Sequence, residues 1–207
     1  MTEQAYAEIK RRILTLEFKP GEFLNETTIR QLLGLGRTPV HEALHRLRLE
    51  GLVEIIPRKG IMIRAESLKD VISLIEARMI VEPQCMRLAA ERAQAGHLAE
   101  LADIMKRFRQ ALADGEPSSF MELDSRFHRE LVQASSNPVL SDVMRLLHER
   151  ASRIWHLQLW GKNDLRVTMC EHDAIYQAVQ RGDPNAAYEA ALAHLTSLKR
   201  RILSGAN

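Results

Sequence analysis

The stretch LGLGRTPVHEALHRLRLEGLVEIIPRKGIMIR, residues 33–64, predicts one amphipathic helix followed directly by a β-hairpin. Thr38 and Pro39 indicate the start of the helix, because a polar capping residue and a proline at the first helical position are typical of helix N-termini. Gly51 indicates its end. Two apolar runs follow, separated by the turn-forming residues 57–60, and this is the pattern of a hairpin.

The residues before this stretch predict two more helices. One spans residues 3–17 and stops before Pro20, and a shorter one begins at Asn25 and ends at Gly34. The order helix, helix, turn, helix, hairpin is that of a winged helix-turn-helix, whose recognition helix enters the major groove of DNA. We therefore expect residues 1–65 to form a winged helix-turn-helix DNA-binding domain.

The recognition helix has an apolar face around Leu44 and a polar face on the opposite side. The polar face carries Thr38, His41, His45 and Arg48. With Arg37 just ahead, this face suits contacts to base edges and phosphates, and the cations of the turn 58–60 suit the minor groove or the backbone. The alternative is a helix-turn-helix used only for protein packing, with a solvated polar face.

From Ser67 onward the strand pattern is absent, and breaks at Gly and Pro residues divide the chain into about six helices. Their approximate ranges are 67–94, 97–114, 117–134, 139–160, 163–181 and 184–203. The predicted fold class is therefore mostly α: a winged helix-turn-helix followed by an all-α bundle over residues 66–207.

Four polar residues fall on the inward faces of the predicted bundle helices. Asp124 and His128 are one turn apart, and His172 and His194 lie on two later helices. A buried carboxylate is costly unless it is paired or bound to metal, and imidazole together with carboxylate suits zinc, nickel, manganese or iron. The alternatives are core histidines bonded to backbone carbonyls and an Asp124–His128 pair across one turn.

Arg78 falls in the middle of the inward stripe of the first bundle helix. Glu82, one turn later, would pair with it in a purely structural role. Alternatively, a buried guanidinium beside a metal forms a clamp for an organic acid. The remaining histidines of the bundle match no pattern, and we treat them as surface or structural residues: His97, His148 and His156.

The amino-terminal part resembles the GntR family of bacterial regulators. The likeness is carried by Pro20-Gly21, Leu24-Asn25-Glu26, residues 33–44 and Gly51-Leu52-Val53. It implies a homodimer on a palindromic double-stranded operator, with DNA contacts from Arg37, Thr38, Pro39, His41, Lys59 and Gly60. The family usually has arginine at position 41, so His41 predicts a different half-site.

The bundle resembles the FCD effector domain of FadR-type GntR proteins. The matching features are Asp-x-x-x-His at 124–128, EHDAIYQAV at 171–179 and a histidine 22 residues after His172. The resemblance implies that Asp124, His128, His172 and His194 bind a divalent metal, zinc first among the candidates. It also implies that the metal helps to hold a small carboxylate effector, which relieves repression.

The composition limits the class of protein to which the chain can belong. The chain has 45% hydrophobic and 27% charged residues, typical of a globular protein. Residues 1–65 carry 11 Lys and Arg against 8 Asp and Glu. This excess of positive charge is too small to establish DNA binding by itself. Two distant cysteines, no signal peptide and no apolar run of ~18 residues predict a cytoplasmic protein without a membrane segment.

Two other functions remain open from the residues alone. The metal itself could be the regulatory input, or the site could belong to a metal-dependent hydrolytic enzyme. Against an enzyme, the sequence offers no convincing general base or nucleophile near the four ligands, and an attached DNA-binding domain would have no purpose.

Overall fold

The computed structural model describes the backbone of residues 1–115, 117–155 and 162–205, and all side chains there except those of residues 117–118, 152–155, 162–164 and 205. The helices are α1 (Thr2–Leu14), α2 (Glu26–Leu33), α3 (Arg37–Leu49), α4 (Leu68–Arg92), α5 (Ala95–Asp114), α6 (Pro117–Ala134), α7 (Pro138–Trp155), α8 (Lys162–Gln180) and α9 (Pro184–Gly205). The strands are β1 (Phe23–Leu24), β2 (Val53–Ile56) and β3 (Gly60–Ile63). The predicted fold class is confirmed.

Contacts divide the chain into two compact units, one built on Met1–Asp70 and the other on Val71–Ala151 and the helices that follow. In the first unit, α1 packs on α3, and the core is apolar. Its most deeply buried side chains include Ile9, Ile13, Ile29, Leu44 and Leu47. The apolar face predicted for the recognition helix is therefore the face that forms this core.

In the first unit, two helix ends lie two or more residues from the sequence prediction. α1 ends at Leu14 because Leu16 adopts a positive φ of 60°, which interrupts the helix. α3 begins at Arg37 after Gly36, so the prediction of Thr38 as N-cap is wrong by two residues. Pro39 is tolerated inside the first turn because the N–H groups there have no partner within the helix. Asn25 caps α2 as predicted, since its Oδ1 accepts a hydrogen bond from the Thr27 amide at 2.8 Å.

The wing is a three-stranded antiparallel sheet in the order β1-β3-β2. The sequence predicts the hairpin β2–β3 but not the two-residue strand β1. Gly60 opens β3 with φ +105°, and a Cβ atom there would lie 2.7 Å from the carbonyl oxygen of Leu24. The wing therefore requires glycine at this position for a reason separate from DNA.

We expect Gly60→Ala to lower the free energy of unfolding by about 1–3 kcal/mol, because the added methyl group meets backbone and the φ angle is strained for any L residue. Gly96→Ala is the control, since a Cβ atom added there would meet nothing within 4 Å and its φ is not positive. Urea denaturation of both variants measures the difference. Equal stability of the two would contradict this account of the wing.

The second unit contains the six predicted helices, α4 to α9, among the residues described. Phe108, Phe120 and Phe127 are fully buried at its centre, and the rings of Phe108 and Phe120 lie 4.7 Å apart between centroids. The sequence predicts that α7 reaches residue 160, but residues 156–161, including His156, lie outside the described chain. None of the described helices is both long and apolar enough to cross a membrane.

Candidate metal centre and nucleic-acid interface

Four polar side chains meet in the core of the helical unit. Asp124 and His128 lie on α6, His172 on α8 and His194 on α9, with exposed fractions of 6%, 3%, 0% and 1%. Ligand atoms of the three imidazoles lie within 4.8 Å of one another. Asp124 Oδ1 lies 3.5 Å from His172 Nε2. The structure thus brings together the four residues that the sequence nominates as metal ligands.

The polar atoms at the centre of this cluster have no hydrogen-bond partners. The four that face one another are Asp124 Oδ1 and the Nε2 atoms of His128, His172 and His194; the Nδ1 atoms of His128 and His172 also lack a hydrogen-bond partner. The Asp124–His128 pair considered as an alternative does not form a hydrogen bond, because its oxygen and nitrogen are 3.9 Å apart. Each unsatisfied buried polar group costs about 1–3 kcal/mol. A bound cation would satisfy all four, so the donor set fits a divalent metal.

Burial favours the neutral, metal-binding form of two of the imidazoles, His172 and His194. Burial lowers the pKa of His172 well below its ordinary value, and the neighbouring His194 and His128 add to this effect. Burial also lowers the pKa of His194, although its hydrogen bond to Glu171 opposes the shift. Because metal binds neutral imidazole, these two side chains need not lose a proton first near neutral pH.

A carboxylate outside the cluster orients His194. Glu171 Oε2 lies 2.8 Å from His194 Nδ1, and Arg201 holds the same carboxylate through an Nη1–Oε1 contact of 3.3 Å. An ionised carboxylate only accepts hydrogen bonds, so Nδ1 carries the proton and Nε2 keeps its lone pair. This is the arrangement by which an outer carboxylate fixes the tautomer of a metal-binding histidine.

A second carboxylate lies behind His128. Glu82 Oε1 is 2.6 Å from His128 Nδ1, and Arg78 Nε donates to Glu82 Oε2 at 2.8 Å. Both members of the Arg78–Glu82 pair are almost fully buried. Burial opposes ionisation of Glu82, yet the charge of Arg78, with His128, holds the pKa of Glu82 well below its ordinary range. Of the two roles that the sequence suggests for Arg78, pairing with Glu82 and clamping an organic acid, the structure therefore contains the first.

We expect Glu171→Ala to weaken metal binding by about 10- to 100-fold, the usual effect of losing an outer-sphere partner of a metal-binding histidine. Isothermal titration with zinc measures the affinity. Glu130→Ala is a matched control, because Glu130 forms the same kind of pair with His97 at 2.8 Å away from the four ligands. Unchanged affinity in Glu171→Ala would show that Glu171 does not orient the ligand.

His148 also lies in this region, a placement that the sequence interpretation of it as a surface or structural residue does not specify. Its Nε2 lies 3.4 Å from Glu82 Oε2, and its ring centroid is 5.2 Å from that of His128. Glu82, His128 and His148 form a second group whose ligand atoms lie within 4.8 Å of one another. The side chain of His148 is 19% exposed, so it lies between solvent and the buried cluster.

The candidate nucleic-acid interface is the exposed side of α3. The side chains of Arg37 and His41 are 80% and 59% exposed, and Thr38 is also exposed, whereas Pro39 is half-buried. Glu26, from the first turn of α2, contacts both basic residues. Its Oε2 lies 3.3 Å from His41 Nδ1, and its Oε1 lies 3.7 Å from Arg37 Nε.

The tip of the wing faces the same side of the first unit. Arg58 and Lys59 are exposed, and together with Glu26 and His41 they line a groove of about 340 Å³ between α3 and the hairpin. Arg58 adopts a positive φ of 65°, as a tight turn requires. Of the predicted DNA-contacting residues, His41 of the helix and Lys59 and Gly60 of the wing therefore line one groove.

Comparisons with known proteins match both units. A model described as bacterial regulatory proteins, gntR family, matches residues 1–63, and one described as FCD domain matches residues 73–197. The Nta operon transcriptional regulator of Aminobacter aminovorans is 34% identical, over 92% of this chain and 89% of its own length. The chain belongs to the GntR family. The regulator LutR of Bacillus subtilis is also similar, 31% identical over 91% of this chain and 94% of its own.

The fold of this GntR protein also agrees with solved structures. The E. coli McbR/YncC structure covers 100% of the chain with a TM-score of 0.86, at 20% identity. The family and these relatives are transcriptional regulators, so the chain is a DNA-binding transcriptional regulator with an FCD domain, and the enzyme alternative is not supported.

Proposed function

We propose that this GntR regulator binds a divalent metal through Asp124, His128, His172 and His194, and that a small organic acid held at the metal controls operator binding. The observation that carries the proposal is the set of four buried atoms without hydrogen-bond partners, converging from α6, α8 and α9. Proteins rarely leave such atoms unsatisfied without a ligand to meet them.

Three imidazole nitrogens and one carboxylate oxygen make a donor set suited to zinc first, and to nickel, manganese or iron as alternatives. Such an ion supplies positive charge that attracts the carboxylate of an organic acid. Arg78 is the nearby candidate for a second contact to the acid. It would then share its guanidinium between Glu82 and the effector, since the Arg78–Glu82 pair already uses Nε and, at 3.4 Å, Nη2.

In the amino-terminal unit, Arg37, Thr38, Pro39 and His41 contact the major groove, and the wing residues Lys59 and Gly60 contact the flanking backbone or minor groove. The support is the placement of exposed cations around one groove, with the apolar face of α3 turned into the core. An effector that changes this binding must favour one of two conformations of the regulator.

The regulator acts as a homodimer on a palindromic operator, so that two recognition helices meet two half-sites. α7 supports this, because Val139, Val143 and Leu146 are exposed at helical spacing along one side. An exposed apolar stripe of this kind is typical of an interface between chains. Native mass spectrometry reports the dimer, the bound metal and any bound acid in one measurement.

The test starts from metal-free protein and measures its binding to operator DNA by fluorescence anisotropy. Zinc alone should change the Kd less than about twofold, whereas zinc with one of a panel of mono-, di- and tricarboxylates should weaken binding by about tenfold or more, within the usual range of allosteric coupling. Weaker binding with the acid corresponds to repression that the effector relieves. If zinc alone switches binding, the metal is the signal. If an acid acts without metal, the proposed site is wrong.

A further inference from the structure

The contact between Glu26 and His41 determines which ring nitrogen of His41 carries the proton. Glu26 Oε2 lies 3.3 Å from His41 Nδ1. An ionised carboxylate cannot donate a hydrogen bond, so the hydrogen atom of this contact must come from Nδ1. In its neutral form His41 then carries no proton on Nε2, which is left as a hydrogen-bond acceptor on an exposed ring.

The major-groove edges of the bases distinguish acceptors from donors. Adenine N6 and cytosine N4 are donors, whereas guanine presents two acceptors, N7 and O6. A neutral His41 held by Glu26 therefore matches adenine or cytosine. Once the ring is protonated, Nε2 becomes a donor. Its best match is then guanine, which presents two acceptors and no donor in the major groove, although adenine N7 and thymine O4 also accept. Histidine is the side chain that ordinarily changes charge between about pH 5 and pH 8.

We infer that His41, with its tautomer fixed by Glu26, is a specificity-determining residue that selects adenine or cytosine when neutral and guanine when protonated. The inference rests on the proposed insertion of α3 into the major groove. It differs from a general gain of affinity at low pH, because one base position changes its preference while the others do not.

The charged groups around His41 come from three elements. Glu26 on α2 contacts the ring, and Arg37 at the start of α3 contacts the same carboxylate. Arg58 and Lys59 reach the same groove from the wing. His45, one turn along α3, is the other imidazole on this helix, and its Nε2 is 2.9 Å from Arg48 Nη2.

The experiment is selection of bound sites from randomised double-stranded DNA by the full-length protein at pH 8 and at pH 6. We expect one position in each half-site to change from adenine or cytosine to guanine, with a change in relative enrichment of about fivefold to tenfold, the effect of one hydrogen bond. The remaining positions should keep their preferences. Identical selected sequences at the two pH values would overturn the inference.

Three variants assign the change to its source. His41→Gln should select the same base at both pH values, because an amide does not titrate, and His41→Arg should select guanine at both. His45→Gln should retain the wild-type change. Loss of the change in His45→Gln, or its persistence in His41→Gln, would contradict the assignment to His41.

Glu26→Gln tests the tautomer itself, because glutamine both donates and accepts and so no longer fixes the proton on Nδ1. At pH 8 this variant should lose most of the preference for adenine or cytosine over guanine, and an unchanged preference would contradict the role of Glu26. Failure to enrich any sequence at either pH would instead contradict the proposed DNA contacts, and the inference would fall with them. Enrichment without a pH-dependent position overturns only the inference.

Discussion

The double variant His172→Ala/His194→Ala is expected to lose its metal. Loss of one outer-sphere partner already weakens metal sites by about 10- to 100-fold, so removing two direct ligands should weaken binding by about a thousandfold or more. The purified variant should therefore contain no stoichiometric metal by elemental analysis. The helices should remain, because both side chains project into a core that Phe108, Phe120 and Phe127 continue to fill.

Thermal unfolding provides a second measurement for the same variant. A ligand that binds only the folded state raises the Tm, so zinc should stabilise the metal-free wild type and leave the double variant unchanged. His97→Ala is the matched control, since it removes a histidine of the same unit that pairs with Glu130 away from the cluster. Full metal occupancy in His172→Ala/His194→Ala, with occupancy in His97→Ala also intact, would show that the ligands are elsewhere.

The sequence predicts the clustering of the four proposed ligands better than the groups behind them. Asp124 and His128 are one turn apart within an apolar stripe, so the helical period alone places both of them inward. Glu171 precedes His172 in the chain, but its partner is His194 on α9. That contact depends on how α8 packs on α9, which no local pattern encodes.

His148 could have been placed more closely from its own helix. It follows Met144 by four residues and precedes Ala151 by three, and both of those side chains are buried. The helical period therefore puts His148 near the inward face. From the sequence it is nevertheless interpreted as a surface or structural residue, because it matches no motif. The two-residue strand β1 offers no such signal, because two residues are too few to show a period.

Gly60, a residue predicted to contact DNA, is also required by the fold itself. The sequence indicates a slender wing tip that approaches DNA. In the structure the position also requires glycine because a Cβ atom would meet the Leu24 carbonyl of β1, a strand remote in sequence. Loss of DNA binding in a Gly60 variant would therefore not by itself demonstrate a DNA contact. A test of the interface needs a side chain that the fold does not use.

Arg37 is that side chain, because it is 80% exposed and its contact with Glu26 Oε1 is a long one of 3.7 Å. We expect Arg37→Ala to weaken operator binding by about 10- to 100-fold and to reduce the slope of log K against log salt by about one, the loss of one phosphate or base contact. Arg109→Ala removes the same charge from an exposed guanidinium of the helical unit, paired with Asp173. Because the net charge of the two variants is equal, any difference in slope between them measures a local contact. Anisotropy titrations at several salt concentrations give both quantities, and equal slopes in the two variants would exclude α3 from the groove.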